Sequence, residues 1–487
     1  MADLFTAYAA QGTGTKVHAY LIESTAPNNI DDVESPAEQD THQIGADAVI
    51  DKIVDDLKAS ANPTLVISIH GFNNPREIIL DGYKMSFNAV INDPAINDRD
   101  IVIIGYRWPS ERIGAPRKTA VPAATTFIKL FPVLGISIII LTFYLHCIET
   151  LGHLSTIFFS SVGVLLTLIP VTLILLRIVV YFRDGYRATA FGVPDLVEII
   201  RQIDKKLADR DARRNKVQLS FVAHSMGAYV VTNAVRILSD VFSPASMREG
   251  LNVRPENVPA AVPSEIGKVF RLKQLVLVSP DIPSEALISS RANFLSASLM
   301  RFEDAFLFSN EGDEVLRQIS TTANYFSFPT KSNAFGYRLG NVCLLGIPCG
   351  ITKGINLQLL QIGKLTLAEI YKKMDKMGFG QLRDDLPKRF SYFDCTDCVE
   401  NGKGMLTQAK LGRIKKLGHF AHFSLLLHYL WNRTPDVHGG YFRSPFLSEL
   451  IFRLACIGRS ETVQAYGGED QLDQECRTHQ IKVLLNS

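Results

Sequence analysis

Ser225 lies in the stretch FVAHSMGAY, residues 221–229, with Ala223 two positions before it and Gly227 two positions after. A serine hydroxyl is a poor nucleophile near neutral pH. It attacks a carbonyl only when a base takes its proton, a carboxylate orients that base, and donors wait for the oxyanion. The A-x-S-x-G spacing suits a tight strand-to-helix turn. Such a turn lifts the hydroxyl above a sheet edge and aims the following N–H, here that of Met226, at the oxyanion. Small residues on either side let strand and helix close on each other, and Ala223 adds one methyl where glycine is usual. An ordinary turn can share these five residues, so the surrounding elements must carry the argument.

Other groups could complete the chemistry. Asp281 follows a strand in LVSPDIP, and Asp313 follows the next one in LFSNEGDEVL. An aspartate at either place also serves simply to cap the next helix. Four histidines come late: His419, His422, His428 and His438. The first three lie in GHFAHFSLLLHYL, which reads as an apolar helix, and His438 lies in the glycine-rich VHGGYFRSP. His419 and His422 are three apart, a spacing open to a metal, but no third ligand has matching spacing. Cys395 and Cys398 form an isolated C-x-x-C without the second pair that a zinc ribbon needs. They read as structural thiols.

The elements that must position these residues alternate. Residues 16–22, 64–71, 101–106, 217–222, 274–279, 305–309 and 390–394 read as strands. Ile50, Ile53, Val54 and Leu57 mark one amphipathic helix. Leu196, Ile199, Ile200, Ile203 and Leu207 mark a second, and Val231, Ala234, Val235 and Leu238 a third. This order predicts an α/β domain with a mostly parallel sheet. It occupies residues 1–120 and 183–459, with residues 314–388 including a cap or lid and residues 460–487 forming a loosely attached polar tail.

IHGFNN (69–74), YRWPS (106–110) and AHSMG (223–227) together resemble the α/β-hydrolase superfamily. More narrowly, they resemble a bacterial esterase/lipase-like family with HGYN, SWPS and AHSMG signatures. The resemblance covers most of the chain outside residues 121–182 and the tail. It implies a nucleophile at Ser225 and oxyanion donors at the backbone N–H groups of Phe72 and Met226. In that fold the triad runs Ser, acid, His. It implies Asp313 as the acid, with Asp281 as the alternate, and His438 as the base, with His419 or His422 second. His70, Asn73 and Trp108 would line the substrate pocket, though His70 also suits bracing the turn and Trp108 packing. Arg107 stands beside Trp108 with the same two readings. The expected activity is hydrolysis of an ester or acyl bond, without metal or organic cofactor. A catalytically silent interaction module and an acyltransferase are the competing expectations.

The remaining departure is between residues 121 and 182. No charged residue occurs from Leu130 to Ile148, nor between Glu149 and Arg177. Runs of this length suggest a transmembrane hairpin inserted into one folding unit, and Pro170 within the second is tolerated better in a membrane helix. Arg107, Arg112, Arg117, Lys118 and Lys129 precede it, and Arg177, Arg183 and Arg187 follow. The positive-inside rule then sets both ends, and the catalytic domain, on the cytoplasmic side. This predicts a multi-pass membrane protein in contact with the bilayer, with lipid or acyl-ester substrates. The first residues lack a basic stretch followed by an apolar core, so no cleavable signal is expected. Seven cysteines among 487 residues are too few for a disulfide framework. A net charge of +2 argues against nucleic-acid binding through bulk charge.

Overall fold

Apolar runs such as TLVISI and IVIIGYR bury every side chain, the pattern of strands covered on both faces. In the computed structural model the described residues are 5–10, 16–26, 46–72, 74–110, 126–210, 216–239, 264–283, 298–321, 338–341, 390–411, 417–418, 420–422, 424–425 and 436–485. In chain order the strands are β1 (Phe5–Ala10), β2 (Val17–Ser24), β3 (Thr64–Ile69), β4 (Ile101–Arg107), β5 (Val217–His224) and β6 (Glu265–Ile266). They continue with β7 (Phe270–Val278), β8 (Asp304–Ser309), β9 (Phe390–Asp394), β10 (Val399–Glu400), β11 (Lys403–Gly404) and β12 (Lys482–Leu484).

The main sheet runs β1-β2-β4-β3-β5-β7-β8-β9-β12, with β6 paired to β7 and β10–β11 a separate hairpin. From β2 to β9 the pairing is parallel; β1 and β12 close the two ends antiparallel. β3 connects onward to β4 on one side, while β5 lies on its other side. The carboxyl ends of β3 and β5 therefore meet where the order diverges, the place where open α/β sheets form their sites. Register pairs Ile69 with Ala223, so the turns after these strands are neighbours.

Helices cover both faces. α1 (Ala46–Ala59), α5 (Val193–Arg210) and α6 (Gly227–Leu238) pack on one core through Val49, Ile53, Leu196, Ile200, Val231 and Val235. α2 (Arg76–Asn92) and α7 (Pro445–Ala465) cover the other through Ile79, Tyr83, Phe87, Leu450, Ile451 and Leu454. These sheet and helix spans agree with the periodicity. The tail does not stay loose. α8 (Glu469–Thr478) buries Leu472 and Cys476 in the second core, and β12 pairs with β9. Two apolar positions on a polar helix and a three-residue edge strand are enough to dock it. Of the expected cap, 314–321 and 338–341 are described and sit beside the site; the rest lies outside the described residues.

The insertion forms two helices, α3 (Thr126–Cys147) and α4 (His153–Arg187), joined by a short turn with Glu149 at φ 56°. They touch closely: a Cβ on Gly135 would lie 2.5 Å from the Gly163 carbonyl oxygen, and one on Gly163 would lie 2.7 Å from that of Gly135. Ile140, Phe143, Leu154, Ile157, Phe158 and Leu165 are exposed along the arms. Among the described residues, however, no helix is long and apolar enough to cross a membrane. This overturns the expected two-span, multi-pass location and the sidedness drawn from it. The physical reason is that lack of charge is a weaker property than sustained apolarity over a bilayer's width. A span needs about 20 predominantly apolar residues to cover about 30 Å. Polar side chains recur along both arms. Ser137, Thr142, His146, Ser155, Thr156, Ser160, Ser161 and Thr167 interrupt them. The far end of α4 belongs to the α/β body. Asp184 is fully buried there and accepts from Ser110 Oγ at 3.1 Å and Arg183 Nη2 at 2.9 Å.

Candidate active site

β5 delivers Ser225 into a turn with φ 53°, in the left-handed region that serine rarely adopts. The turn is held from several directions. The Ser225 N–H donates to the Val278 carbonyl at 3.0 Å, and its own carbonyl accepts from Ala228 and Asp281, each at 3.0 Å. Strain of this kind persists only where its surroundings enforce it. The small residues now have a reason. A Cβ on Gly227 would fall 2.6 Å from the His70 carbonyl oxygen and 2.7 Å from that of Ile69. Ala223 is fully buried without displacing the strand.

Gly71 presses on Ser225 itself. A Cβ there would lie 2.6 Å from Ser225 Cβ and 3.0 Å from His224 Nδ1. Gly71→Ala must therefore push the β3 turn away from Ser225. The expected result is a loss of about 1–3 kcal/mol of stability from overpacking and a fall of roughly 100-fold in kcat/KM from misplacement. Thermal denaturation and ester kinetics on the same preparation check both.

His438 reaches Ser225 from the loop before α7. Its Nε2 lies 2.7 Å from Ser225 Oγ, and its Nδ1 lies 2.6 Å from Asp313 Oδ2. Asp313 is fully buried. Its Oδ2 also accepts from Ser279 Oγ at 2.5 Å, and its Oδ1 accepts from the N–H groups of Val315 and Leu316 at 3.1 and 3.2 Å. The carboxylate is thereby aimed, with Nδ1–H donating and Nε2 left as the acceptor for the serine proton. Burial opposes the imidazolium, yet the charge and hydrogen bond of Asp313, with Asp436 and Asp281 adding to them, leave His438 above the usual histidine range.

Two backbone N–H groups lie in the turns beside Ser225. Phe72 and Met226 flank Ser225, and among the described residues neither N–H donates to a protein acceptor. Beneath the Phe72 turn, His70 and Trp108 stack at 5.1 Å with their rings 4° apart. The Trp108 indole N–H donates to the His70 carbonyl at 2.9 Å, and His70 Nδ1 donates to the Gly71 carbonyl at 2.6 Å. Burial drives the His70 imidazole down to about 3, so it stays neutral. Trp108 is wholly buried, and both side chains are engaged under the turn. They thus occupy the bracing and packing places that were the second reading of each. Arg107 is buried beside Glu23, 3.5 Å away. Asn73 lies outside the described residues.

The alternates occupy other places. Asp281 is buried, paired with Arg338 at 3.1 Å and accepting from Ser320 Oγ at 2.8 Å, and does not contact His438. His422 Nδ1 donates to Glu314 Oε1 at 2.8 Å, and its Nε2 accepts from Arg317 Nη1 at 2.8 Å. Both nitrogens are thus occupied away from Ser225. His419 lies outside the described residues. Cys395 and Cys398 are buried free thiols. Burial raises Cys395 well above its ordinary value and Cys398 to about 12, which makes them inert. Among the described residues no cluster of three His, Cys, Asp or Glu side chains could hold a metal.

Several contributors had no sequence signal. His224 Nε2 donates to the His438 carbonyl at 2.9 Å, tying the base loop to β5. Burial lowers His224 to about 4, so it is a neutral donor. Asn310 Nδ2 donates to the Val437 carbonyl at 2.8 Å, and Asn341 Nδ2 to the Asp313 carbonyl at 3.1 Å. Tyr181, at the root of the α4 arm, packs edge-on to Phe72 with centroids 5.6 Å apart. His224 stands within AHSMG, whose reading did not extend to it; the others are too far apart in sequence to share a motif. Compared with family models, curated proteins and solved structures, the chain matches none of them.

Proposed function

We propose that the chain is a serine hydrolase with an α/β-hydrolase fold that cleaves an acyl ester. The single observation that carries this reading is the continuous chain Ser225–His438–Asp313, at 2.7 and 2.6 Å. The left-handed Ser225 turn and the two unengaged N–H groups beside it support the same reading.

In this mechanism Ser225 Oγ attacks the ester carbonyl carbon while His438 Nε2 takes its proton. The carbonyl oxygen becomes an oxyanion and accepts from the Phe72 and Met226 N–H groups. His438 then passes the proton to the leaving alkoxide, which departs as the alcohol and leaves an acyl-serine. Water, deprotonated by His438, attacks that acyl group, and the proton returns to Ser225 as the acid leaves. Asp313 holds the ring through Nδ1 and stabilises the imidazolium. With the membrane spans withdrawn, location no longer argues for bilayer lipid as substrate, and the reading is of ester hydrolysis by the site alone.

The test is reaction with a fluorophosphonate probe, mapped by mass spectrometry. A single adduct on Ser225 is expected. A folded protein that remains unlabelled, or is labelled elsewhere, removes the reading.

The pH profile follows from His438. Its neutral form is the base, and its titration lies above the usual value of about 6.5. Lowering the pH protonates Nε2 and removes the acceptor. The acid limb of kcat/KM is therefore expected to fall on the alkaline side of an ordinary histidine, measured with an ester whose own ionisation is silent from pH 5 to 9.

A further inference from the structure

An oxyanion donor has to keep its N–H free until the reaction needs it. Among the described residues the Phe72 N–H donates to no protein acceptor. A turn with such a free N–H lacks one of the hydrogen bonds that ordinarily fix buried backbone, so other contacts must hold it. α4 supplies two. Tyr181 and Asp184 are three positions apart on that helix, and so lie on one face of it. The Tyr181 ring meets the Phe72 ring edge-on at 5.6 Å, and Phe72 in turn faces the His438 ring at 6.4 Å. Asp184, fully buried, accepts from Ser110 Oγ at 3.1 Å, and Ser110 Oγ accepts from the Asn74 N–H at 3.2 Å. The turn after β3 is thus gripped at Phe72 through a ring and at Asn74 through a hydroxyl. Both grips are themselves fixed. Arg338, almost wholly buried, donates through Nη2 to Tyr181 Oη at 3.3 Å and to the Ser320 carbonyl at 3.1 Å. Asp184 also accepts from Arg183 Nη2 at 2.9 Å and lies 3.6 Å from Arg187 Nη1. Any apolar side chain at position 181 would pack α4 on the body. A ring whose hydroxyl is bonded on one side, and whose edge meets Phe72 on the other, does more than pack.

We propose that Tyr181 and Asp184 are positioning residues for the oxyanion turn, so that the root of α4 sets where the Phe72 N–H stands relative to Ser225. The proposal rests on the reading of Phe72 as an oxyanion donor. Neither side chain touches the ester. Tyr181 acts through the Phe72 ring, and Asp184 acts through Ser110 and the Asn74 N–H. The His70–Trp108 stack bounds the same turn from beneath, and Gly71 bounds it against Ser225. The effect belongs to the transition state, because the oxyanion forms there and is absent from the bound ester. Loosening the turn should therefore lower kcat and leave KM nearly unchanged. On this account the inserted helices are joined to the catalytic machinery and are not a separate appendage.

The experiment compares variants of the full-length chain. Tyr181→Ala removes the ring, Tyr181→Phe keeps it, and Tyr186→Ala alters an exposed residue of the same helix. The first readout is hydrolysis of p-nitrophenyl butyrate beside inhibition by a benzyl trifluoromethyl ketone, whose adduct with a serine carries an oxyanion. Tyr181→Ala is expected to lower kcat and weaken the inhibitor by similar factors, roughly 10- to 100-fold, with KM within about twofold. Tyr181→Phe and Tyr186→Ala are expected to stay within about threefold of the parent. Ser110→Ala, which cuts Asp184 from the Asn74 N–H, is expected to show the same split between kcat and KM. The second readout needs no turnover. It is hydrogen exchange of the Asn74 amide, followed by NMR on the 15N-asparagine-labelled chain and assigned through Asn74→Ser. Exchange is expected to be roughly tenfold faster in Tyr181→Ala and unchanged in Tyr186→Ala. Should Tyr181→Ala not fold, Tyr181→Leu carries both readouts, since it keeps much of the volume without the aromatic edge. A merely structural role would lower the folded fraction and leave kcat per folded molecule as it was. An active parent overturns the proposal if Tyr181→Ala keeps its kcat, changes kcat and KM together, or loses kcat without faster exchange at Asn74. A parent that hydrolyses no ester and forms no adduct loses the hydrolase reading instead. There, faster exchange in Tyr181→Ala keeps α4 as the support of this turn, and unmoved exchange removes it.

Discussion

Ser225→Ala is expected to abolish fluorophosphonate labelling and to lower kcat for ester hydrolysis by roughly 10⁴ to 10⁶-fold, while the fold survives. The substitution removes one oxygen from a side chain whose backbone is fixed by hydrogen bonds to Val278, Ala228 and Asp281, none of which uses that oxygen. The left-handed φ remains, and alanine tolerates it about as poorly as serine does. Residual activity comes from the Phe72 and Met226 donors and from binding alone. Circular dichroism and thermal denatured fractions should match the parent. Retained labelling in this variant places the nucleophile elsewhere; retained hydrolysis with lost labelling points to water attack without a covalent intermediate.

Asp313→Asn is expected to be nearly as damaging, with a fall of roughly 10⁴-fold in kcat near neutral pH. Asp313 Oδ2 accepts from both Ser279 Oγ and His438 Nδ1. An asparagine amide that keeps one of these bonds tends to present an N–H to the other. If it faces Nδ1, the imidazole must place its proton on Nε2, and Nε2 can no longer accept from Ser225. The acid limb should also move to lower pH, because the charge that holds the imidazolium is gone. Steady-state kinetics across pH 5–9 read both effects. Asp281→Asn serves as the comparison. It spares the hydrogen bond to Nδ1, so its loss in kcat should be far smaller. Equal losses in the two variants would show that the buried loops fail together and not that Asp313 orients the base.

The linear chain revealed unevenly what the folded chain uses. β3 and β4 are short runs buried on both faces, and such runs announce themselves. Ser225 and Gly227 were legible because a tight turn limits which residues fit. β1 (FTAYAA) and β12 were not, since edge strands need no continuous apolar signal. The α3–α4 hairpin was legible as two helices but not as to where they lie. Absence of charge reports what a segment lacks, whereas a span depends on length and sustained apolarity together.

Sequence by itself determined the alternation of strands and helices and the tight turn at Ser225, because each of these is enforced by local sterics and periodicity; the order of the partners came from the resemblance. The choice among partners was tertiary. Asp281 and Asp313 both follow strands, and His422 and His438 both come late. Asp313 and His438 meet because the parallel sheet brings the ends of β5 and β8 and the loop before α7 to one edge, where Asn310 and His224 fasten that loop. Asp281 is withdrawn from His438 by Arg338, and His422 from Ser225 by Glu314 and Arg317. Such pairings join residues 57 to 214 positions apart, and they depend on distances that only the closed fold creates.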